Sequence, residues 1–302
     1  MISNQYIQIV VFSKDRPLQL QATLESFLLQ CEEAASTRVS IIYKASTDSF
    51  ERAYARLRQQ IKGSLDIEWV KEGNFRRDLL RQLIGTEEFP HIVRLFRWGQ
   101  SVRKQSSFSY IAFLVDDCIF VHPFSLDSIV RALAENPRSI GFSLRLGKNT
   151  DYCYASNCRQ QVPGFSKIGG AMRFSWVKES YDFNYPLEIS SSVYRSEDIA
   201  PLLAKPRYSK PNQLEQSLSL STRQFADSKY ELLCFGRSAA FCAPVNKVQS
   251  VFENRAGSLR KNPSEELNSL FLRGYRINVA SLSGFTPNSA HQEIDLPIER
   301  IG

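Results

Sequence analysis

The sequence has no hydrophobic run long enough to span a membrane. None of its apolar stretches approaches the roughly 18–20 residues that a transmembrane helix needs. The apolar N-terminal stretch YIQIVVF is too short for the core of a signal peptide, and SKDRP follows it directly instead of a small-residue cleavage site. We therefore expect a cytoplasmic protein that makes at most peripheral contact with a membrane.

The chain also lacks the cysteine pattern of a disulfide framework or a zinc site. Its six cysteines are scattered, and Cys153 and Cys158 form the only close pair. No second pair and no nearby histidine completes a zinc ligand set. Cys31, Cys118 and Cys234 fall in apolar surroundings, where a free thiol behaves as a small hydrophobe. Reduced, structural cysteines are the favoured interpretation.

Internal repeats, low-complexity segments and nucleic-acid-binding signatures are missing as well. No RNP-like aromatic motif or helix-turn-helix pattern appears, so we expect no nucleic-acid partner. The 302 residues contain 43% hydrophobic and 23% charged residues, as in an ordinary globular protein, and carry a net charge of +7. The basic residues are densest in FRRDLLR and RLFRWGQSVRK, and the excess suits an anionic partner such as a nucleotide.

Strand-like and helix-like patterns alternate through the first 150 residues. Apolar runs predict strands over 7–12, 38–43, 65–70, 109–117 and 139–146, and helical periodicity predicts helices over 17–31, 46–61, 75–85 and 125–137. This alternation predicts an α/β fold with a mostly parallel sheet and helices on both of its faces. From about Gly147 the sequence is less regular, which predicts large loops and short helices over one end of the sheet.

Two adjacent carboxylates, Asp116 and Asp117, follow the apolar run YIAFLV. Like charges repel, and burial of either carboxylate is costly unless it is paired or holds a cation. Three interpretations are open: a turn or helix cap, a general acid/base pair, or a divalent cation site with oxygen ligands. The cation site accounts for both acids at once and agrees with the basic balance of the chain. Ligands of parallel sheets bind beyond the carboxyl ends of the strands, where this pair is expected to lie.

The segment FLVDDCIF, the strand–helix units before it and the first loop FSKDRP together resemble the GT-A nucleotide-diphospho-sugar glycosyltransferases, in particular bacterial family 2-like enzymes. Their signature is an acidic DxD or xDD motif at a strand end, which holds Mn²⁺ or Mg²⁺ on the diphosphate of the sugar nucleotide. Asp116 and Asp117 match that motif. The resemblance spans nearly the whole chain and implies one GT-A-like domain. Residues 1–122 would form its nucleotide-sugar-binding half, and residues 123–302 a loop-rich acceptor-side half.

The resemblance also implies roles for individual residues. Asp117 would bind the metal, and His291 in AHQEIDLPI would complete the metal or diphosphate site. Glu215 in PNQLEQSL would be the general base that takes the proton of the acceptor hydroxyl, with Asp198 in RSEDIAPLL as the alternative. The implied nucleotide-sugar-binding residues are Ser13, Asp15, Arg16, Lys44, Asp48, Arg76 and Asp116.

Several of these residues have ordinary structural interpretations too. Asp15 and Asp48 could each cap a helix, and Asp198 could be a first-turn acid favoured by the helix dipole. Arg76 could lie on a solvated helix face as readily as meet a phosphate. In the second strand loop, YKASTD has Tyr43 and Lys44 where members of the family often have acids that read the nucleobase, so unusual base recognition is expected.

The implied reaction is transfer of a sugar from a nucleotide-diphosphate donor to a hydroxyl of a saccharide, lipid-linked or other acceptor, with inversion. Such enzymes serve bacterial polysaccharide or glycoconjugate biosynthesis. Phe174 and Trp176 would stack on a sugar face. One alternative is a non-catalytic GT-A-like module that binds a sugar nucleotide. The other is a nucleotidyltransferase, but such enzymes usually have a glycine-rich first loop, and SKDRP contains no glycine.

Overall fold

The structure is a computed structural model, and it describes residues 7–84, 108–204, 208–246 and 263–301. The basic segment RLFRWGQSVRK, at 94–104, and the expected helix end at Gly85 lie outside the described residues. No helix in the described ranges is long and apolar enough to cross a lipid bilayer.

The first half has the predicted alternation of strands and helices. Its strands are β1 (Ile7–Lys14), β2 (Arg38–Lys44), β3 (Asp66–Lys71) and β4 (Tyr110–Val115), and its helices are α1 (Pro17–Gln30), α2 (Asp48–Gln60) and α3 (Phe75–Ile84). The four strands are parallel and adjacent in the order β3-β2-β1-β4. Seven consecutive residues of β1 are buried, as expected of a strand covered on both faces.

The second half adds short strands and helices. They are β5 (Cys118–Phe120), α4 (Leu126–Glu135), β6 (Ser139–Ser143), β7 (Tyr152–Cys153), β8 (Cys158–Arg159), β9 (Ser166–Ile168), β10 (Ala171–Ser175), β11 (Ser191–Arg195), α5 (Ser196–Leu203), α6 (Pro211–Leu220), β12 (Glu231–Cys234), β13 (Ala240–Cys242), α7 (Ser264–Leu272), β14 (Tyr275–Ile277) and β15 (Ile298–Arg300). The loops and short helices that the sequence predicts are present, but five of these segments, β6, β9, β10, β11 and β12, are strands of the central sheet.

The central sheet has nine strands in the order β3-β2-β1-β4-β11-β6-β12-β10-β9. Seven of them run in one direction, whereas β10 and β11 run in the other. The α/β fold with a mostly parallel central sheet is therefore as predicted. Strand β11 matters most for the site, because it lies between β4 and β6 and is antiparallel to both.

The core consists of two apolar layers, one on each face of the sheet. Alternation along β1 directs Val11 into the layer that includes α1 and α2, and Phe12 into the layer that includes α3, α5 and α6. Phe174 and Trp176 belong to this second layer, with 3% and 4% of their surface exposed. The prediction that they stack on a sugar is therefore wrong: both rings are core side chains.

Candidate active site

Several of the candidate side chains lie at the carboxyl edge of the central sheet. Asp116 follows β4 directly, and Arg145 follows β6 by two residues. Because β11 is antiparallel, its first residue, Ser191, lies opposite Leu114 at the end of β4. The segment before β11, which contains Glu188, is thereby brought to the same edge.

The side chain opposite the two carboxylates is Arg16. Its Nη1 donates to Asp116 Oδ1 at 3.1 Å and to Asp117 Oδ2 at 3.0 Å. The three side chains are nearly buried, with 12%, 5% and 13% of their surfaces exposed. The guanidinium is a cation shared by both carboxylates, and it compensates part of the cost of burying two like charges.

The backbone also fixes the carboxylate pair. Asp116 donates its backbone N–H to the carbonyl of Phe12, and its Oδ2 accepts from the backbone N–H of Lys14 at 3.1 Å. Burial raises the pKa of Asp116 to about 6; Arg16 opposes this rise and the charge of Asp117 adds to it. Burial alone would lower the pKa of Arg16, but the two carboxylates raise it, so the guanidinium stays charged.

Ser13 and Asp15 connect the loops around this pair. The Ser13 hydroxyl lies 2.7 Å from the hydroxyl of Tyr54 in α2. Asp15 has a positive φ of 53°, and its carboxylate accepts from the backbone N–H and hydroxyl of Ser46 in the second loop. Asp15 does not cap α1, whose N-cap residue is Arg16. It holds the loops after β1 and β2 together.

The other residues predicted to bind the nucleotide sugar, Lys44, Asp48 and Arg76, are away from the carboxylate pair or bonded to other groups. Lys44 forms an ion pair with Glu72 at 3.0 Å, and Arg76 donates to the carbonyl of Ala204 at 2.6 Å. Asp48 is exposed in the first turn of α2, where Thr47 occupies the N-cap position. Arg76 thus connects α3 to the end of α5 and is not on a solvated helix face. Asp48 is not the N-cap residue of α2.

In the loop predicted to recognise the nucleobase, the hydroxyl of Tyr43 is already hydrogen-bonded within the protein. Its side chain is buried, and its hydroxyl donates to Glu51 Oε1 at 3.1 Å. The ring packs against Tyr54 and Trp69. Recognition of a nucleobase by Tyr43 and Lys44 stays a prediction, and it would require both side chains to exchange their present partners.

A second charged cluster forms around Arg145. Its Nη2 donates to Glu188 Oε2 at 3.0 Å, and its Nη1 lies 3.0 Å from Nε2 of His291. Glu188 also accepts from the backbone N–H groups of Ser190 and Ser191 and from the hydroxyl of Ser192. Burial, and then the charge of Arg145, lowers the pKa of His291 to about 3, so this imidazole is neutral near pH 7.

Glu215 belongs to this cluster. It lies in the second turn of α6, is half-buried, and accepts a hydrogen bond from the backbone N–H of Ile189. Burial first, and then the charge of Glu188, raises its pKa to about 7, although Arg145 opposes the rise. The helix N-terminus does not keep Glu215 fully ionised at neutral pH, because this residue is past the first turn of α6 and beside another carboxylate.

Backbone pairing connects the two clusters. Cys118, which follows Asp117, is paired with Cys242 across the β5–β13 ladder. Cys242 in turn exchanges backbone hydrogen bonds with the residues on either side of His291, at 3.0 and 2.9 Å. Asp117 and His291 are therefore carried by neighbouring segments that a short backbone ladder holds in register.

Asp198 lies at the opposite edge of the sheet. Arg195, at the end of β11, pairs with Tyr110 at the start of β4, four residues from the carboxyl edge, which is about 13 Å along the strand. Asp198 follows in the first turn of α5 and forms an ion pair with Lys229 at 2.9 Å. The alternative assignment of Asp198 as the base is corrected: it supports α5 and is not part of this cluster.

The carboxylate pair fits a cation in geometry and chemistry. Asp116 Oδ1 and Asp117 Oδ2 converge on a single nitrogen of Arg16, and carboxylate oxygens are the ligands that Mg²⁺ and Mn²⁺ prefer. In the described part of the chain, no group of three or more His, Cys, Asp or Glu side chains is arranged to hold a metal ion. A metal would therefore need further oxygen ligands from a bound diphosphate, and His291 contacts Arg145 instead of completing the pair.

Sequence reasoning missed Arg145, Glu188 and the nearby Tyr185. Arg145 lies in the strand-like run SIGFSLRL, which was the available signal for it, whereas no local pattern pointed to Glu188. Tyr181 and Tyr185 have 49% and 38% of their surfaces exposed and are the large aromatics of this half, within the described residues, that face solvent. Although the ring of Tyr185 is partly exposed, partial desolvation and then the charge of Glu215 raise the pKa of its hydroxyl. Tyr185 is therefore close to Glu215.

Comparison with known proteins supports a similarity to glycosyltransferases. The chain is 24% identical over 275 residues to the bifunctional glycosyltransferase pgtA of Dictyostelium discoideum, covering 82% of this chain and 33% of that protein. It thus spans about a third of the length of that relative. No protein-family model matches the chain. The expected similarity to this class of enzyme is confirmed by the curated relative.

Solved structures with a related arrangement were also found. Staphylococcus aureus TarS is 14% identical, with a TM-score of 0.45 over 78% of this chain and 36% of that one. The mannosyltransferase PcManGT from Pyrobaculum calidifontis, in complex with GDP-Man and Mn²⁺, is 13% identical, with a TM-score of 0.42 over 75% of this chain and 53% of that one.

Proposed function

We propose that this chain is a glycosyltransferase that moves a sugar from a nucleotide-diphosphate sugar to an acceptor hydroxyl, with inversion at the anomeric carbon. The observation that carries the proposal is the joint placement of a cation-binding carboxylate pair and a carboxyl group with a pKa of about 7 at one edge of the sheet. Ligands of such sheets bind beyond this edge.

The donor side of the site is the loop that carries Arg16 together with Asp116 and Asp117. When bound, Mn²⁺ or Mg²⁺ would be held by these two carboxylates and would stabilise the charge that develops on the leaving diphosphate. Ser13 and Asp15 keep the loops after β1 and β2 in place around the donor. Lys44, Asp48, Arg76 and His291 stay predictions as donor or metal contacts.

The acceptor side is the cluster around Glu215. As the acceptor oxygen forms its bond to the anomeric carbon, the bond from that carbon to the diphosphate oxygen breaks, and the hydroxyl proton passes to Glu215. A carboxyl group with a pKa near the working pH is well suited to this transfer. Arg145 is held by Glu188 and keeps the cluster from carrying two unopposed negative charges. The exposed ring of Tyr185, close to Glu215, favours a saccharide acceptor, because aromatic faces pack on the apolar faces of sugars.

A binding module without turnover is the second candidate. It is favoured by one observation: Arg16 already neutralises part of the charge of the carboxylate pair. Such a module would bind a nucleotide-diphosphate sugar at the same edge and release it unchanged.

The experiment is a screen of nucleotide sugars by thermal shift, with and without Mn²⁺, followed by transfer assays with saccharide acceptors. Glu215→Gln retains the shape of the side chain and removes its basicity, so turnover should fall about 10²–10⁴-fold while donor affinity changes little. Asp198→Asn is the matched control and should cost less than about tenfold, because Asp198 lies at the other edge. Donor binding without transfer or hydrolysis in the wild-type protein would favour the binding module.

A further inference from the structure

Arg16 is held by acceptors on every side of its guanidinium. Nη1 contacts Asp116 and Asp117, Nε donates to Asn246 Oδ1 at 2.8 Å, and Nη2 donates to the carbonyl of Asn246 at 2.5 Å. A planar guanidinium that is fixed in this way is a structural cation of the site and not a side chain that samples solvent.

The charges at this position do not balance. Two carboxylates face one guanidinium, so the group carries one formal negative charge when both acids are ionised. A diphosphate is itself negative, and an anion placed beside a negative group is repelled. The pair therefore has to gain positive charge, or to exchange its present cation for one of higher charge, before a diphosphate is stable there.

We propose that Arg16 and a divalent metal ion compete for the same two carboxylates, so that Arg16 is the resident cation of the donor-free protein. Metal–oxygen bonds of about 2.0–2.6 Å would place an ion between Asp116 Oδ1 and Asp117 Oδ2, which is where Nη1 now lies 3.0–3.1 Å from both. The two cations cannot occupy that position together.

Competition makes metal binding depend on the nucleotide. A metal ion alone must displace a buried guanidinium whose three nitrogens all donate hydrogen bonds, so its affinity for the wild-type protein is low. A nucleoside diphosphate adds oxygen ligands for the metal and provides phosphate oxygens that can accept from the displaced guanidinium. By linkage, a change that weakens the hold of Arg16 on the two carboxylates, and leaves the carboxylates themselves intact, strengthens metal binding. The proposal rests on the proposed function only for the nature of the nucleotide; the competition itself does not involve turnover.

The test is a titration of the full chain with Mn²⁺ in the absence of nucleotide. Electron paramagnetic resonance measures the concentration of free Mn²⁺ at each step. Arg16→Gln removes the resident charge, and its Mn²⁺ affinity should exceed that of the wild type by about tenfold or more. Adding Asp117→Asn to Arg16→Gln should abolish this gain. Arg38→Gln is the matched control: Arg38 is exposed, pairs with Glu68, and its loss should leave Mn²⁺ affinity unchanged.

A folded Arg16→Gln variant that binds Mn²⁺ no more tightly than the wild type would overturn the proposal. Circular dichroism establishes the fold of each variant. If Arg16→Gln does not fold, Arg16→Lys decides the question, since an ammonium lacks the planar fork and should still tighten Mn²⁺ binding about threefold; unchanged affinity in that variant also refutes competition. Nucleotide-sugar binding in the presence of a chelator tests the proposed function separately, so that the two failures are distinguishable.

Discussion

Replacement of Glu215 by glutamine should make the protein more stable at alkaline pH than the wild type. Burial and Glu188 raise the pKa of Glu215 from 4.5 to about 7, so the folded state binds this proton more tightly than the unfolded chain does. The sign follows from linkage: the contribution to stability is complete below the unfolded pKa and is lost as the pH rises through the folded one. Wild-type stability should therefore decline between about pH 4.5 and 7 on account of this residue.

The size of the effect follows from the same pKa difference. A change from 4.5 to about 7 corresponds to about 3 kcal/mol of preference for the protonated form. Because the side chain is half-buried and solvent screens part of the interaction, we expect about 1–2 kcal/mol. Asp116, with a pKa of about 6, loses its proton in the same pH range, but it does so in both proteins and cancels in the comparison.

Urea unfolding of both proteins at pH 5, 6, 7 and 8 measures this difference without a substrate. The free energy of unfolding of Glu215→Gln minus that of the wild type should grow by about 1–2 kcal/mol across the series. Glu265→Gln, at an exposed position in the first turn of α7, controls for the loss of one negative charge. A difference that is constant with pH, or that shrinks as the pH rises, would refute the account of Glu215 as a buried carboxyl group beside Glu188.

Three further results are expected. In an established transfer assay, the rate should rise with pH through about 7 as Glu215 loses its proton, and Glu188→Gln should move that rise to lower pH because it removes the neighbouring negative charge. Thiol titration of the denatured protein, prepared without reductant and protected from air, should find all six cysteines free; a stable Cys153–Cys158 disulfide or stoichiometric zinc would contradict this. Substitution of Tyr43, Lys44 and Asp48 together should change the preference among nucleoside diphosphates in a competition series, and an unchanged preference would show that another segment reads the base.

The first half of the fold was predictable because its signals are local. Each strand is a short apolar run and each helix has its own periodicity, and Pro17 lies at the first turn of α1 as the sequence indicates. Most of the central sheet in the second half was not predictable in this way. Strand β11 is five residues long and its partner β4 lies about eighty residues earlier, so its identity as a strand depends on a pairing that no local pattern records.

In the candidate site, too, features set by adjacent residues were predictable and features set by distant residues were not. The strand-end position of Asp116 and Asp117 could be recognised from adjacent residues, but their cation is supplied by a side chain 100 residues away in sequence. Arg16 was assigned to nucleotide binding, and its contact with both acids is visible only once β1 and β4 are adjacent. The assignment of Glu215 as the general base stays a prediction, and its protonation depends on Glu188, which the fold brings near it.

The direction of β11 explains which acids of the second half reach the site. In a parallel strand, residues that follow the strand lie at the carboxyl edge, and Asp198, which follows β11, would then have been well placed. Because β11 runs in the opposite direction, the residues before it lie at that edge instead. Glu188 is in that preceding segment, and Glu215 is attached to it through the backbone N–H of Ile189. A single antiparallel strand therefore places Glu215, and not Asp198, at the carboxyl edge, and it does so through topology and not through the chemistry of either carboxylate.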